Sequence, residues 1–279
     1  MPIFHAIVLG LVQGLSEFLP ISSSGHLLLV PWLFEWNDFD DESVKKSFDV
    51  ALHAGTLVAV LGYFREDLIT YVREGTKLVF TRTKPTSPDG RHAWLFVLAT
   101  VPAAAIGALF EAQIDSALGT PTIIAISLIF FGLLLGWADR MVGSREVHDF
   151  QTRDALIVGA AQALALNPGT SRSGITMTAA RAIGFNRDSA VRISFVMSVP
   201  VIAGAVVFKG YDFFTDPADN SDLYIPMLVG IVTSAISGLA AVWGTIKLVR
   251  TKSFMPFVVY RVVVGVMMLV LIATGVRPG

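Results

Sequence analysis

Four polar residues near the start of the chain have the types and spacing needed for acid–base and nucleophilic chemistry. Gln13 and Glu17 are four residues apart, and Ser23 and His26 follow the glutamate within nine positions. Because residues four apart share one face of a helix, Gln13 and Glu17 lie side by side. A carboxylate or a histidine can take up a proton, and a serine or a histidine can attack phosphorus. The pattern predicts that Glu17, Ser23 and His26 form a catalytic group.

A second polar segment carries groups that bind anions. Residues 168–176 place Arg172 among glycine, serine and threonine residues at the predicted start of a helix. Unpaired N–H groups at a helix start and a guanidinium that donates two parallel hydrogen bonds both favour phosphate. Arg172 is therefore predicted to be catalytic as well. The predicted phosphate-binding residues are Gln13, Ser22, Ser171, Arg172, Ser173 and Thr176.

The two segments are related by sequence. At an offset of 149, positions 6–25 and 155–174 share seven identities in twenty, without a gap. Ser23 aligns with Arg172 and Glu17 with Leu166, which indicates that one copy kept acid–base groups and the other an anion binder. A chance match of apolar sequence is the alternative. The identical pairs are Ala6/Ala155, Gly10/Gly159, Gln13/Gln162, Leu15/Leu164, Ser22/Ser171, Ser24/Ser173 and Gly25/Gly174.

The composition is that of a membrane protein. Of the 279 residues, 53% are hydrophobic and 15% charged, and the mean hydropathy is +0.65. Soluble domains carry roughly 25% charged residues, so the sequence excludes most cytosolic enzymes. With no basic run, it does not predict a nucleic-acid partner. The absence of cysteine excludes disulfides, thiolate zinc sites and a cysteine nucleophile.

A membrane span needs about 20 residues, and apolar runs predict six spans, at 48–64, 94–110, 122–138, 193–208, 223–248 and 254–274. Two further stretches, 3–34 and 155–183, are each interrupted by a polar turn and are expected to be re-entrant pairs of half-helices. We therefore predict an all-α polytopic membrane protein with six transmembrane helices and two re-entrant hairpins in an inverted-topology repeat. The chain 1–279 is expected to form one membrane domain, with repeats at about 1–138 and 155–276.

The distribution of charged residues predicts the orientation. Basic residues are concentrated in the segment 65–91, which is expected to be cytoplasmic, whereas the loop at 212–222 is acidic and expected outside. Both termini are then outside.

Two of the predicted site residues have alternative interpretations. Glu17 could lie at the solvated outer interface, and Arg172 could serve only to cap a re-entrant loop.

Three other polar residues lie within the predicted spans. Asp49 and His53 are interpreted as outer-interface residues or as support for the site. Arg261, in the last span, is expected to pair with an internal acid or to extend towards the interface.

Both polar segments resemble signatures of one family. Residues 13–26 and 168–176 are similar to the two motifs of the undecaprenyl-diphosphatase (bacitracin-resistance) family. The resemblance implies hydrolysis of the C55 polyprenyl diphosphate to the monophosphate plus phosphate, which recycles the cell-wall lipid carrier in the bacterial inner membrane. It also implies the lipid, the bilayer and a second copy of the chain in a homodimer as partners, and Mg²⁺ or Ca²⁺ held by Glu17 and Gln13. Some family members have Glu in place of Gln13, so the metal should bind more weakly here. The family's functional positions fall on Glu17, Ser23, His26, Ser171, Arg172 and Thr176.

The sequence leaves several mechanisms open. Glu17 is expected to orient His26 or to help hold the metal ion, and His26 to act as nucleophile or to activate Ser23. Attack through phosphohistidine, through phosphoserine or directly by water all fit these residues. A lipid-phosphate or anion transporter or flippase is a rival function, because inverted repeats with broken helices occur in transporters. A non-catalytic binder of lipid phosphates is a third.

Overall fold

A computed structural model describes residues 1–39, 42–80, 88–215 and 221–279 of the chain. The described part folds into eleven α-helices. These are α1 (Ile3–Phe18), α2 (Ser23–Phe34), α3 (Glu42–Tyr63), α4 (Arg65–Phe80), α5 (Asp89–Leu118), α6 (Pro121–Asp139), α7 (Thr152–Ala163), α8 (Arg172–Ala182), α9 (Arg187–Thr215), α10 (Tyr224–Val249) and α11 (Met255–Ala273).

The helices confirm a polytopic membrane protein. Within the described ranges, α5, α6, α9, α10 and α11 are each long and apolar enough to cross a membrane. The sixth predicted span corresponds to α3, which meets the same criterion only together with α4, across a bend of 84°. Each predicted span thus overlaps one of these six helices.

The segment 65–91 differs from the expected loop because most of it is helical. The helix α4 occupies its first part, with Leu68 and Tyr71 packed against the core and the side chain of Arg73 exposed. This amphipathic pattern explains the helix: α4 packs against α5 through one face. The remainder of the predicted inner loop at 81–87, and residues 216–220 of the predicted outer loop, lie outside the described residues.

Two helix pairs are interrupted as the sequence indicates. The interruptions between α1 and α2 and between α7 and α8 contain Ser22 at φ 80° and Ser171 at φ 73°, a left-handed conformation that is rare for serine. The second half-helix of each pair is also followed by a left-handed residue, Glu35 (φ 57°) after α2 and Gly184 (φ 94°) after α8. Both equivalences have the sequence offset of 149, so the two pairs share one backbone design.

The two halves of the chain interlock through these pairs. Helix α1 packs against α10, and its counterpart α7 packs against α5. Equivalent glycines permit both contacts: a Cβ on Gly10 would lie 2.8 Å from a carbonyl oxygen of α10, and one on Gly159 would lie 2.5 Å from the carbonyl oxygen of Ala99. Real Cβ atoms do not approach oxygen so closely, so side chains are excluded at both places. Each interrupted pair is therefore held mainly by the other half.

Candidate active site

The two turns meet in the protein interior. The Gly169 N–H donates to Ser22 Oγ at 3.1 Å, and Ser173 Oγ donates to the Leu19 carbonyl, also at 3.1 Å. Each bond joins one turn to the other. The two polar segments identified in the sequence, almost 150 residues apart, therefore form one site.

Serine caps aim two helix N-termini into this junction. Ser22 Oγ accepts the Gly25 N–H at 3.3 Å, and Ser171 Oγ accepts the Gly174 N–H at 3.1 Å. The first N–H groups of an α-helix have no partner within the helix, and the helix dipole places partial positive charge there. Two such ends meeting at one place favour an anion with many oxygens.

Arg261 holds the two turns together. Its side chain is fully buried and donates to carbonyl oxygens of both turns and of α6. The expectation that it pairs with an acid or reaches the interface is wrong: all of its described hydrogen-bond partners are backbone carbonyls, which the five donors of a guanidinium can satisfy together. The accepting residues, at 2.8–3.4 Å, are Pro20, Ser127, Leu128, Gly169 and Thr170.

Glu17 is the centre of the polar cluster. It is 5% exposed, so its carboxylate depends on protein donors rather than on bulk water. The Oε2 atom accepts from Ser23 Oγ at 2.6 Å and from Gln13 Nε2 at 3.2 Å, while Oε1 accepts from Arg172 Nη2 at 3.2 Å. His53 Nε2 lies 3.7 Å from Oε2. The carboxylate thus contacts both the hydroxyl and the guanidinium predicted to be catalytic.

Arg172 is positioned by α9. Its Nη1 donates to the Ser194 carbonyl at 3.1 Å, and Thr176 Oγ1 donates to Ser194 Oγ at 2.7 Å. These contacts fix the guanidinium on the first turn of α8. The Nε atom is buried and has no hydrogen-bond partner in the part of the chain that is described. One N–H of the guanidinium is therefore available to a ligand.

His26 lies on the other side of the first turn and contacts Tyr260. Its Nδ1 donates to the Ser22 carbonyl at 2.7 Å, which leaves Nε2 of the neutral ring to accept from the Tyr260 hydroxyl at 2.8 Å. The expected pairing of Glu17 with His26 is therefore wrong, and so is activation of Ser23 by direct contact with His26. The Ser23 hydroxyl donates to Glu17 instead.

The other predicted phosphate ligands are buried within the turns. Ser22, Ser171 and Ser173 cap the half-helices or join the turns, and Thr176 supports α8 through Ser194. Their direct contact with a phosphate stays a prediction. Among the described residues, Arg172 Nε has no hydrogen-bond partner, and the first N–H groups of α2 and α8 have no acceptor within their helices.

The donor set suits a metal ion only if the substrate supplies most of the ligands. No group of three or more histidine, aspartate or glutamate side chains in the described ranges could hold a metal. However, Gln13 Oε1 is buried beside Glu17 and has no hydrogen-bond partner among the described residues. One carboxylate and one amide oxygen fit a divalent cation that arrives with a diphosphate, since Mg²⁺ is commonly bound through one or two carboxylates and substrate phosphates.

Comparisons with known proteins agree with this site. The sequence model of the family described as "Bacitracin resistance protein BacA" matches residues 6–267. The chain belongs to the BacA family. A protein named undecaprenyl-diphosphatase from Hahella chejuensis is 44% identical to this BacA-family chain over 264 residues, covering 95% of the chain and 96% of the relative. Relatives of the same name from Moorella thermoacetica and Geotalea daltonii are 43% identical over 266 and 279 residues, covering 95% and 99% of the chain and 96% and 100% of the relatives.

Sequence reasoning about this BacA-family chain missed one site residue and undervalued another. Tyr260 contacts His26 across 234 positions of sequence, and only its place beside the intramembrane Arg261 marked it. His53 was considered as an interface or supporting residue, and the structure brings it to Glu17. Its polarity within an apolar span was the signal that could have identified it.

Proposed function

We propose that the chain hydrolyses undecaprenyl diphosphate to undecaprenyl phosphate and inorganic phosphate, thereby recycling the cell-wall lipid carrier. The observation that carries this proposal is the cluster of Ser23, Glu17 and Arg172 at the meeting point of two helix N-termini. Such a cluster combines a nucleophile, a base and an anion binder. Family membership and the name of the relatives support the same substrate.

The diphosphate binds through charge and N–H donors. Arg172 and the first N–H groups of α2 and α8 hold the oxygens of the terminal phosphate, and Arg261 adds a buried positive charge behind both turns. Phosphoryl transfer depends chiefly on such positioning and charge stabilisation. The polyprenyl tail stays in the bilayer, in contact with the apolar faces of the helices.

The first step is attack by Ser23. Its Oγ bonds to the terminal phosphorus, while the bond from phosphorus to the bridging oxygen breaks and undecaprenyl phosphate leaves with the electron pair. The proton of the hydroxyl passes to Glu17, whose Oε2 accepts it at 2.6 Å. This short contact favours phosphoserine over the other two mechanisms, because in the structure Ser23 shares its hydrogen with Glu17.

The second step is hydrolysis of the phosphoserine. Water attacks the phosphorus, the bond to Ser23 Oγ breaks, and Glu17 returns the proton to that oxygen. The proton that the water loses passes through the Tyr260 hydroxyl to Nε2 of His26, which accepts from that hydroxyl, and His26 then releases a proton to solvent. The balance is one diphosphate and one water consumed, and one monophosphate and one phosphate released.

We propose that a divalent cation, Mg²⁺ or Ca²⁺, assists the reaction at this site. Glu17 and Oε1 of Gln13, which has no hydrogen-bond partner in the described part of the chain, would hold it together with the diphosphate. The ion supplies neutralisation of the negative charge on the phosphates. Gln13 and Glu17 stay beside each other with or without the ion, because the amide N–H₂ of Gln13 donates to the carboxylate of Glu17.

We propose the bacterial inner membrane as the location, with both termini outside. A homodimer stays a prediction from the family resemblance.

The orientation can be tested by cysteine labelling. Since the chain lacks cysteine, single introduced cysteines report orientation without background labelling. Val142→Cys, at the end of α6 towards α7, and Val276→Cys, after α11, are 98% and 58% exposed. An impermeant maleimide should label Val276→Cys in intact cells and Val142→Cys only after lysis. The reverse pattern, or labelling from one side, would overturn this orientation.

The test of function uses purified protein in detergent and undecaprenyl diphosphate labelled in its terminal phosphate. We expect release of labelled inorganic phosphate, and a protein-bound label after an acid quench that is stable to acid and lost in base, as for phosphoserine. The bound label should be absent from Ser23→Ala and should accumulate in His26→Ala. An acid-labile label that persists in Ser23→Ala would identify phosphohistidine instead. No phosphate release from folded protein would contradict the phosphatase and favour the transporter or the binder.

A further inference from the structure

A cavity of about 550 Å³ lies at the C-terminal end of α6 and is separate from the candidate active site. The active-site turns contact α6 near Ser127, through Arg261, whereas the cavity begins at Asp139. Twelve residues of α-helix separate these positions by about 18 Å. Four of the six charged residues that line this cavity are arginines, so we call it the arginine cavity. The six are Asp139, Arg140, Arg181, Arg187, Asp188 and Arg250.

The two aspartates of this cavity are already engaged. Asp139 accepts from Arg187 Nε and from the Phe254 N–H through different oxygens. Asp188 accepts from Arg250 Nε and, through its other oxygen, from Arg192, which lies nearby. Four arginines against two aspartates leave the cavity lining with a net charge of +2.

Several guanidinium N–H groups in the cavity remain available. Arg140 is exposed and has no partner among the described residues, and Arg250 uses only its Nε within the same part of the chain. Arg181 is 4% exposed, and its Nε is buried without a hydrogen-bond partner in the described ranges. A buried, unsatisfied donor of a cation is costly, which points to a ligand that accepts hydrogen bonds and carries negative charge.

The corresponding cavity at the other end of α6 is aromatic and less positively charged. It measures about 480 Å³ and is lined by Trp32, Trp36 and Asn37, among others, and its charged lining residues Glu35, Lys45 and Arg277 give a net charge of +1. At the offset of 149, Trp32 corresponds to Arg181 and Asn37 to Asn186, which also lines the arginine cavity. The fold thus provides a cavity at both ends of α6, and only one of them has an arginine at this position.

We propose that the arginine cavity binds a phosphate group, presented by an anionic lipid or as free phosphate, at the membrane face opposite the cavity that contains Trp32 and Trp36. Guanidinium groups bind phosphate oxygens in pairs, and basic pockets between transmembrane helices are typical sites for anionic headgroups. The C-terminal end of α8 carries Arg181, and its N-terminal end carries Arg172. The bound group would therefore contact the half-helix that positions the catalytic arginine.

The test is native mass spectrometry of the purified full chain with dioleoylphosphatidylglycerol or dioleoylphosphatidylcholine. We expect the anionic lipid to bind more tightly, with about fivefold weaker binding in Arg140→Gln and in Arg250→Gln and about 25-fold in the double variant. The control is Arg65→Gln, which removes an equal charge from a side chain that is 72% exposed outside the cavity. If Arg250→Gln fails to fold because Asp188 loses a partner, Arg140→Gln still tests the site.

Added inorganic phosphate distinguishes the two sources. If millimolar phosphate displaces the lipid from the wild type and raises its Tm, but not that of Arg140→Gln, the site takes free phosphate. If the lipid resists displacement, a lipid headgroup is the ligand. Equal binding of both lipids with no phosphate effect, or equal loss in Arg65→Gln, would overturn the proposal. Phosphate release from undecaprenyl diphosphate should persist in all these variants, so this result and the proposed function can fail separately.

Discussion

The two re-entrant turns have nearly the same backbone and opposite chemistry. Each contains a left-handed serine that caps the following half-helix through the N–H of a glycine three residues later. The first turn presents Ser23 where the second presents Arg172, and Glu17 aligns with Leu166. The shared geometry is therefore that of the turn, whereas the side chains have diverged.

This difference explains why the site needs both copies. The first turn supplies the hydroxyl and the carboxylate, and the second supplies the guanidinium that contacts that carboxylate at 3.2 Å. Two half-helix N-termini, contributed one by each copy, give an anion more N–H donors than either could alone. Arg261 makes the arrangement rigid by binding carbonyls of both turns. A repeat that began with two equal turns can in this way divide nucleophile and anion binding between them.

The largest effect is expected for Glu17→Gln, which replaces the proposed base beside the first turn by an uncharged amide. Loss of a general base typically costs about 10²–10⁴ in rate, and we expect kcat for phosphate release to fall by that factor. The glutamine oxygen can still accept from Arg172, so Tm should stay near that of the wild type. Glu66→Gln, on a side chain that is 86% exposed, is the control. A destabilised but active Glu17→Gln protein would make Glu17 a structural residue.

Arg172→Lys tests the chemistry of the second turn. The substitution retains the charge but loses the planar fork that donates two parallel hydrogen bonds. Loss of one transition-state donor costs about 10²–10³ in kcat, and KM should change less because the interaction tightens as charge develops. Ser173→Ala should have a milder effect, since the backbone N–H stays in place. Near-normal kcat in Arg172→Lys, measured with a short-chain prenyl diphosphate, would reduce Arg172 to a cap.

The sequence predicted the parts of this comparison that are local. Polarity and glycine content indicated both turns, and apolar length indicated the six spans, because bilayer thickness sets that length directly. The partner of His26 was missed because Tyr260 comes close only through the packing of α11. The role of Arg261 was missed for a related reason: three of its carbonyl acceptors, those of Pro20, Gly169 and Thr170, lie in turns that depart from helical bonding, and these turns meet Arg261 only in the folded chain.

Gly10→Ala and Gly159→Ala test whether the two halves are held in the same way. Both glycines lie where a helix of one half touches a helix of the other, and a Cβ would meet backbone oxygen at 2.8 Å or closer. Overpacking of this kind typically costs about 1–3 kcal/mol, so both variants should show similarly lowered Tm in detergent. Gly62→Ala, where a Cβ meets nothing within 4 Å, is the matched control. A large loss in only one of the two variants would show that the repeats pack differently.

The smallest effect separates two glutamines that the repeat makes equivalent. Gln13 and Gln162 are both buried, and both have side-chain atoms without hydrogen-bond partners in the described part of the chain. Only Gln13 lies beside a carboxylate, because Glu17 of the first copy corresponds to Leu166 of the second. Binding of the proposed divalent cation should therefore depend on Gln13 and should not depend on Gln162.

Gln13→Leu removes the unpartnered oxygen that is proposed to contact the cation, and the Mg²⁺ or Ca²⁺ concentration for half-maximal phosphate release should rise by up to about tenfold. Gln162→Leu removes a buried amide that lacks partners, so its Tm should rise or stay constant, and its cation dependence should match the wild type. The measurement is phosphate release across a cation titration after treatment with chelator. An equal shift in both variants would mean that the change acts through packing, and an unchanged Gln13→Leu titration would remove Gln13 from the proposed cation site.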